Sequence, residues 1–118
     1  AASDVYKRQR GNSDTYTRLR REYMNDITWL EARYQQNCND YWEHSYGIEI
    51  ETLDNPGWHV KIDLSETDYV NLKAEELRED TDDDNWIRCS ITNGIFNGYG
   101  DCKKLGVIIQ TFRRWVEY

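Results

Sequence analysis

Residues 41 to 64 read Tyr41-Trp42-Glu43-His44-Ser45-Tyr46-Gly47-Ile48-Glu49-Ile50-Glu51-Thr52-Leu53-Asp54-Asn55-Pro56-Gly57-Trp58-His59-Val60-Lys61-Ile62-Asp63-Leu64. Two runs within them alternate apolar with polar residues, the first starting at Ile48 and the second at Trp58. Strict alternation predicts half-buried β-strands with one apolar and one polar face. Between the runs, Pro56-Gly57 is typical of a type II turn, because proline presets φ and glycine accepts the positive φ of the second central position. These residues therefore predict an antiparallel hairpin.

A second hairpin is predicted nearer the C-terminus. Residues 86 to 92 alternate again, with Ile87, Cys89 and Ile91 on the apolar face. Asn93-Gly94 follows, and this dipeptide is a strong signal for a type I′ turn, in which both central residues have positive φ. Residues 95 to 99 then form the returning strand.

Helices are predicted before and after the two hairpins. In the first helix, Thr28 and Glu31 are placed for a capping box, with Asn25 or Asp26 as alternative N-caps. Its apolar stripe consists of Ile27, Leu30, Tyr34 and Cys38. Trp29 widens this stripe and is expected to cover a sheet edge. The last helix is predicted to begin near Asp101, and its apolar stripe is the clearest in the chain. That stripe consists of Leu105, Ile108, Ile109, Phe112 and Trp115.

The segment from residue 65 to residue 84 has the weakest pattern. Val70, Leu72, Ala74 and Leu77 fit either a short strand or a single helical turn. Residues 80 to 84 contain four aspartates and no hydrophobic residue, and we interpret them as a solvated loop. Their order lacks the alternate ligands, central glycine and closing glutamate of an EF-hand, which argues against a calcium site.

These elements predict an α+β fold, with an antiparallel sheet of four or five strands flanked by an N-terminal and a C-terminal helix. With both helices on one face, the other face of the sheet is expected to be exposed. The polar residues of the two hairpins would line it, namely Glu49, Glu51, His59, Lys61, Asp63, Arg88 and Ser90.

The length of 118 residues fits one domain, which we assign to residues 24–118. Residues 1–23 lack apolar periodicity and are interpreted as a disordered or artefactual N-terminal tail. Within them, the run from Asp4 to Gln9 resembles a translated sequencing adaptor, so that Met24 becomes the expected start.

The charge is strongly uneven along the chain. The N-terminal tail carries six basic and three acidic residues, whereas the remainder carries 19 acidic against 9 basic residues, a net charge of −10. An acidic domain repels nucleic acid and anionic membranes and attracts basic proteins. We therefore expect no nucleic-acid or membrane partner and a basic protein partner. The alternative is that acidity serves solubility alone.

Catalytic and metal-binding signals are weak in this sequence. Glu43 and His44 could be drawn as an acid/base pair, but neither His44 nor His59 has a second ligand at zinc-site spacing. Cys89 lies on an apolar strand face and is interpreted as a core thiol. The three cysteines form no C-x-x-C pair, which is typical of a reducing compartment. The sequence therefore predicts no cofactor and no metal.

A family resemblance rests on the residues quoted at the outset. Trp42-Glu43-His44-Ser45-Tyr46-Gly47, residues 51–58 and Ile62-Asp63-Leu64 resemble the signature of the immunity protein 53 family of bacterial polymorphic toxin systems. The likeness continues at Trp29-Leu30, Asn85-Trp86-Ile87, Cys89, Phe96-Asn97-Gly98, Phe112 and Trp115. The resemblance implies a small cytoplasmic protein that binds and neutralises a cognate toxin, with no catalytic residues.

The functional hypothesis is therefore a non-enzymatic immunity protein that occludes the active surface of a toxin. Exposed aromatic rings beside charged residues have the composition of an interface hot spot. The expected binding residues are Trp42, Glu43, His44, Tyr46, Glu49, Glu51, Asp54 and Trp58. Two alternatives remain at this point: a small enzyme using His44 and Glu43, and an acidic interaction module unrelated to toxins.

Overall fold

The computed structural model describes residues 25–117, so the expectation for residues 1–23 lies outside the described part. The described residues form three helices and five strands in chain order. The elements are α1 (Asp26–Asn37), α2 (Trp42–Ser45), β1 (Ile48–Leu53), β2 (Gly57–Asp63), β3 (Leu77–Asp82), β4 (Asn85–Thr92), β5 (Ile95–Gly100) and α3 (Leu105–Glu117).

The five strands form one antiparallel sheet in the order β1-β2-β5-β4-β3. Helix α3 packs on β2, β5 and β4, and α1 packs against α3. This arrangement confirms the predicted α+β fold with its flanking N-terminal and C-terminal helices. The register also confirms the exposed polar face: Glu51, His59, Tyr99, Arg88 and Arg78 are successive partners in one row across all five strands.

The core lies between the sheet and the helices. Its buried members are Trp29, Leu30, Val60, Ile62, Leu64, Ile87, Cys89, Phe96, Ile108, Ile109 and Phe112. Phe112 connects the two layers, because its ring centroid lies 4.9 Å from that of Phe96 and 5.8 Å from that of Trp29. The apolar stripe predicted for the last helix is thus confirmed as its buried face.

The first helix matches its prediction in part: Leu30 of the expected stripe is buried, but Asn25 and not Thr28 caps the helix. Asn25 is the N-cap, and its side chain accepts a hydrogen bond from the Thr28 backbone N–H at 2.8 Å. Trp29 is only 2% exposed, with its ring centroid 5.8 Å from that of Phe112 on α3, and its covering of a sheet edge stays a prediction. Ile27 and Tyr34 are exposed. The large Trp29 ring supplies more apolar area than either, and α1 rotates to bury it against α3.

The two predicted hairpins form, but their turns differ. Asn93 and Gly94 both have positive φ, 54° and 77°, as a type I′ turn requires. Gly57 does not have positive φ; it is the first residue of β2, so the type II turn was wrong. Glycine is needed there for another reason: a Cβ at Gly57 would collide with the Gly100 carbonyl of the neighbouring strand.

Two boundaries were also wrong. Asp80 to Asp82 belong to the edge strand β3, which pairs with β4, and the turn is confined to Asp83 and Asp84. Backbone pairing with β4 forms this strand despite its charged sequence. Helix α3 begins at Leu105, because the Asp101 carboxylate accepts hydrogen bonds from the backbone N–H groups of Trp86 and Lys103 and holds a turn there.

Candidate functional site

Trp42 anchors the segment that precedes the first hairpin. The side chain is 1% exposed, its indole N–H donates to the Asp63 carbonyl at 3.2 Å, and its ring lies 5.7 Å from that of Tyr34. These contacts fix the single turn α2 against the end of β2. A buried ring cannot touch a partner, so any contribution of Trp42 to binding would be indirect.

Glu43 also has a structural role within its own loop. Its carboxylate accepts hydrogen bonds from the backbone N–H groups of Asn39 at 2.9 Å and Asp40 at 2.8 Å. A hydrogen bond from its own backbone and these two bonds lower the pKa of Glu43. A carboxylate held ionised in this way is a poor proton shuttle near neutral pH, which disfavours an acid/base pair with His44.

Of the expected binding residues in this segment, His44 and Tyr46 are the accessible ones. His44 is exposed, and Tyr46 is half-buried with its ring edge against Tyr41, at a centroid distance of 5.9 Å. A hydrogen bond with the Tyr41 hydroxyl raises the pKa of Tyr46, and the Glu66 and Asp63 carboxylates raise it further. Tyr46 therefore remains a neutral hydrogen-bonding group beside acidic side chains.

Strand β1 carries two exposed glutamates on the polar face of the sheet. Glu49 is the register partner of Lys61, and Glu51 is the partner of His59 on β2. A Glu51 carboxylate oxygen lies 3.0 Å from His59 Nδ1, while the Glu51 side chain remains 65% exposed. Both carboxylates are thus open to solvent on the outermost strand of the sheet.

Asp54 and Trp58 lie at the far end of the hairpin. Asp54 is exposed in the turn. Trp58 is half-buried, and its indole N–H donates to the Cys102 carbonyl at 3.0 Å, which ties the start of β2 to the loop before α3. Like Trp42, it serves mainly as an anchor.

The eight expected binding residues therefore divide into two groups. Trp42, Glu43 and Trp58 hold the backbone in place through the hydrogen bonds described above. The accessible group, which we name the acidic edge, comprises His44, Tyr46, Glu49, Glu51 and Asp54.

The polar face contains further residues that the sequence analysis did not single out. The His59 ring stacks on Tyr99 at 4.3 Å with an interplanar angle of 7°, and its Nε2 lies 2.8 Å from Asn97 Oδ1. On the other side, Asp80 lies 3.0 Å from Arg78 and 3.4 Å from Arg88. The alternation of β5 could have revealed Asn97 and Tyr99, since both stand at polar-face positions opposite Lys61 and His59.

A groove of about 950 Å³ opens at the turn end of the sheet. It lies between the β1–β2 turn and the β3–β4 turn. Its charged lining combines acidic and basic side chains, namely Asp80, Asp82, Asp83, Asp84, Asp101, Arg88 and Lys103. Asn55 and Pro56 form the wall on the side of the acidic edge. The groove is thus a neighbour of the acidic edge and not part of it.

Reactive and metal-binding features are sparse in this part of the chain. Cys89 is fully buried, and burial raises the pKa of its thiol to about 12, which confirms the interpretation as a core thiol. Within residues 25–117, no three His, Cys, Asp or Glu side chains converge to hold a metal ion. No helix in the same range is long and apolar enough to cross a membrane.

Comparison with known proteins completes the description of the site. Searches of the curated proteins and of the solved structures gave no significant match. The model of the family described as immunity protein 53 matches residues 27–117, which is most of the chain and includes the whole acidic edge. Such a family implies an immunity function in general, through a protein partner that is a toxin. The chain therefore belongs to the immunity protein 53 family.

Proposed function

We propose that this protein neutralises a cognate toxin of a bacterial polymorphic toxin system, in the cytoplasm, by binding the toxin and occluding its active surface. The acidic edge is the binding surface, and the complementary surface of the toxin is basic. The protein acts by occupancy and performs no chemistry on its partner.

Charge supports a basic partner. Residues 25–117 contain 19 acidic and 9 basic residues, a net charge of −10. Such a field raises the association rate with a basic protein by ~10-fold or more at low salt and repels acidic proteins. Because the net charge of this domain is negative, it favours a toxin whose catalytic cleft is basic, as clefts that bind phosphates are.

One observation supports the acidic edge above other acidic surfaces of the chain. Glu49 and Glu51 stand exposed on the same face of the outermost strand, flanked in sequence by the accessible His44 and Tyr46. Carboxylates that attract a partner thus follow, within a few residues, an imidazole and a ring that can be desolvated on contact. Trp42 and Trp58 fix both ends of this segment through their indole hydrogen bonds.

The test uses surface plasmon resonance with the cognate toxin domain, which we expect a gene directly upstream to encode. Glu49→Gln together with Glu51→Gln should lower kon by ~3- to 10-fold at low salt and flatten its salt dependence, because exposed charges act mainly on association. His44→Ala or Tyr46→Ala should mainly raise koff, because contacts formed after docking determine dissociation.

The matched control is Glu75→Gln together with Glu76→Gln, which removes the same charge from exposed positions outside the sheet. If the control pair lowers kon as much as the edge pair, overall charge and not the acidic edge directs binding. Circular dichroism checks that every variant folds. Folded edge variants that bind and protect cells like the parent would contradict the assignment of this surface. A toxin that never binds the parent would favour the unrelated acidic module.

A further inference from the structure

The two outer strands of the sheet differ in how open they are to pairing. Among residues 25–117, β1 and β3 each pair with one neighbour, so each leaves one row of backbone N–H and C=O groups unpaired. Such edges can accept another strand unless charges or bulges prevent it. Strand β3 has both protections: a register shift between Asp80 and Asp82, and ion pairs that join Asp80 to Arg78 and Arg88. The register of β1 is continuous over its whole length, and its exposed charges, Glu49 and Glu51, would repel an acidic strand but attract a basic one.

The register also identifies the backbone groups that point outward from β1. The Asp63 N–H donates to the Gly47 carbonyl at 3.2 Å, which makes these two residues a hydrogen-bonded pair. Hydrogen-bonded and non-hydrogen-bonded pairs alternate in an antiparallel ladder. Glu49 and Glu51 therefore bond inward to β2, whereas Ile50 and its alternate neighbours offer their N–H and C=O groups to the outside. The outward set is Ile48, Ile50 and Thr52.

The side chains of β1 define the chemistry of a strand that could pair there. Ile48 and Ile50 share the helix-covered face with Val60 and Ile62, and Ile50 remains 45% exposed because no further strand covers it. Glu49 and Glu51 lie on the opposite face. A complementary strand would thus place apolar residues beside the isoleucines and basic residues beside the glutamates.

A second copy of this chain fits poorly at the same edge. Two β1 strands related by a two-fold axis in antiparallel pairing keep residues of the same face opposite each other. Glu49 and Glu51 of one copy would then face the glutamates of the other, and like charges directly opposite are destabilising. The charge pattern therefore selects a foreign basic strand over self-association.

We propose that the toxin adds an extended segment to β1 as a sixth, antiparallel strand, and that basic and apolar residues alternate in this segment. The inference rests on the proposed function and specifies how the acidic edge binds. Backbone hydrogen bonds from Ile48, Ile50 and Thr52 provide affinity, and Glu49 and Glu51 determine the charge of the accepted strand.

Hydrogen exchange on the parent protein tests the pairing without any mutation. The probes are the same cognate toxin domain and an eight-residue peptide that alternates Lys with Val. The Ile48, Ile50 and Thr52 amides should exchange rapidly in the free chain and become protected with either probe. A peptide of the same composition with four Lys followed by four Val should protect them less, because only the alternating order matches the two faces.

A pair of variants separates backbone from side-chain effects. Ile50→Pro removes one outward N–H and leaves the β1–β2 hydrogen bonds intact, whereas Ile50→Ala removes the side chain and keeps the N–H. Because one net hydrogen bond changes affinity about fivefold, Ile50→Pro should bind the toxin ~5-fold or more weakly than Ile50→Ala.

Three results would overturn the inference. One is an Ile50 amide already protected in the free monomeric chain, since the edge would then be occupied by the chain itself. Another is that the toxin binds but does not protect the outward amides of β1, and binds the two Ile50 variants with equal affinity. In that case strand addition is excluded, while the proposed function still holds. The third is the absence of toxin binding to the parent protein, which removes the proposed function as well.

Discussion

Trp42→Phe tests whether the most buried aromatic residue of the candidate site supports the fold or binds the toxin. The change removes the indole hydrogen bond to the Asp63 carbonyl, which costs about 0.5–1.5 kcal/mol. It also removes about three ring atoms from a site that is 1% exposed, which costs about 1–2 kcal/mol. The expected loss of unfolding free energy is therefore about 2–3 kcal/mol. For a domain of this size, that loss lowers Tm by about 10–20 °C.

Urea titration followed by circular dichroism gives the free energy of unfolding, and plasmon resonance on the same samples gives the affinity for the toxin. At a temperature where the variant is folded, we expect toxin affinity within about threefold of the parent. Val107→Ala is the control, because Val107 is 41% exposed on α3 and an exposed substitution should stay within about 0.5 kcal/mol. Unchanged stability together with a loss of affinity above about tenfold would refute the reasoning, since Trp42 would then act as a contact residue.

Two other predictions concern the core and its response to acid. Phe112→Ala should lower the free energy of unfolding by about 3–5 kcal/mol in the same titration. Trp115→Ala should lower it by less, because Trp115 is only half-buried. A loss below about 1 kcal/mol for Phe112→Ala would contradict the observed packing. Hydrogen bonds from Lys104 and from the backbone of Lys103 and Trp86 lower the pKa of Asp101 from 3.8 to about 2. Because its pKa is lower in the folded state, the ionised Asp101 stabilises the fold above about pH 4, and this stabilisation is lost as pH falls toward 2. The difference in Tm between the parent and Asp101→Asn should therefore shrink over that pH range. A constant difference would show that the carboxylate charge is not the cause.

The hairpins and the last helix could be predicted because their side chains repeat at the period of the structure they form. In β2 and β4, every second residue is apolar and buried or half-buried, so the sequence carries both the strand and its orientation. The stripe of α3 is equally regular, and Ile108, Ile109 and Phe112 are all buried. Local pattern and tertiary burial agree in these elements, which made their prediction reliable.

The failures occur where long-range packing determines the local structure. Strand β3 has a charged sequence, and only its pairing with β4 and the Arg78–Asp80–Arg88 contacts explain why it is extended. Gly57 is required by the closeness of Gly100, a residue distant in sequence. The rotation of α1 depends on the position of Trp29 against Phe112. None of these contacts leaves a periodic signal in the sequence.

The candidate site was predictable in composition but not in orientation. Acidity and alternation indicated that Glu49 and Glu51 stand on the polar face, and the structure has them there. The segment from Trp42 to Tyr46 has no period, because it forms one helical turn flanked by bends. The Trp42 ring points inward, where its indole N–H donates to the Asp63 carbonyl. Only the folded sheet brings that carbonyl within reach.

The anchoring tryptophans and the exposed glutamates have different roles, and together they make the edge strand β1 suitable for binding a partner. An edge that moves would lose conformational entropy on binding and so lose affinity. Here the Trp42 indole N–H donates to the Asp63 carbonyl, and the Trp58 indole N–H donates to the Cys102 carbonyl. Both hydrogen bonds lie beyond the ends of β1, so they leave the outward backbone groups of β1 free for a partner. The inward bonds of Glu49 and Glu51 hold the strand to β2. A partner strand would therefore meet a backbone that is already ordered, so that most of its hydrogen-bond energy would appear as affinity.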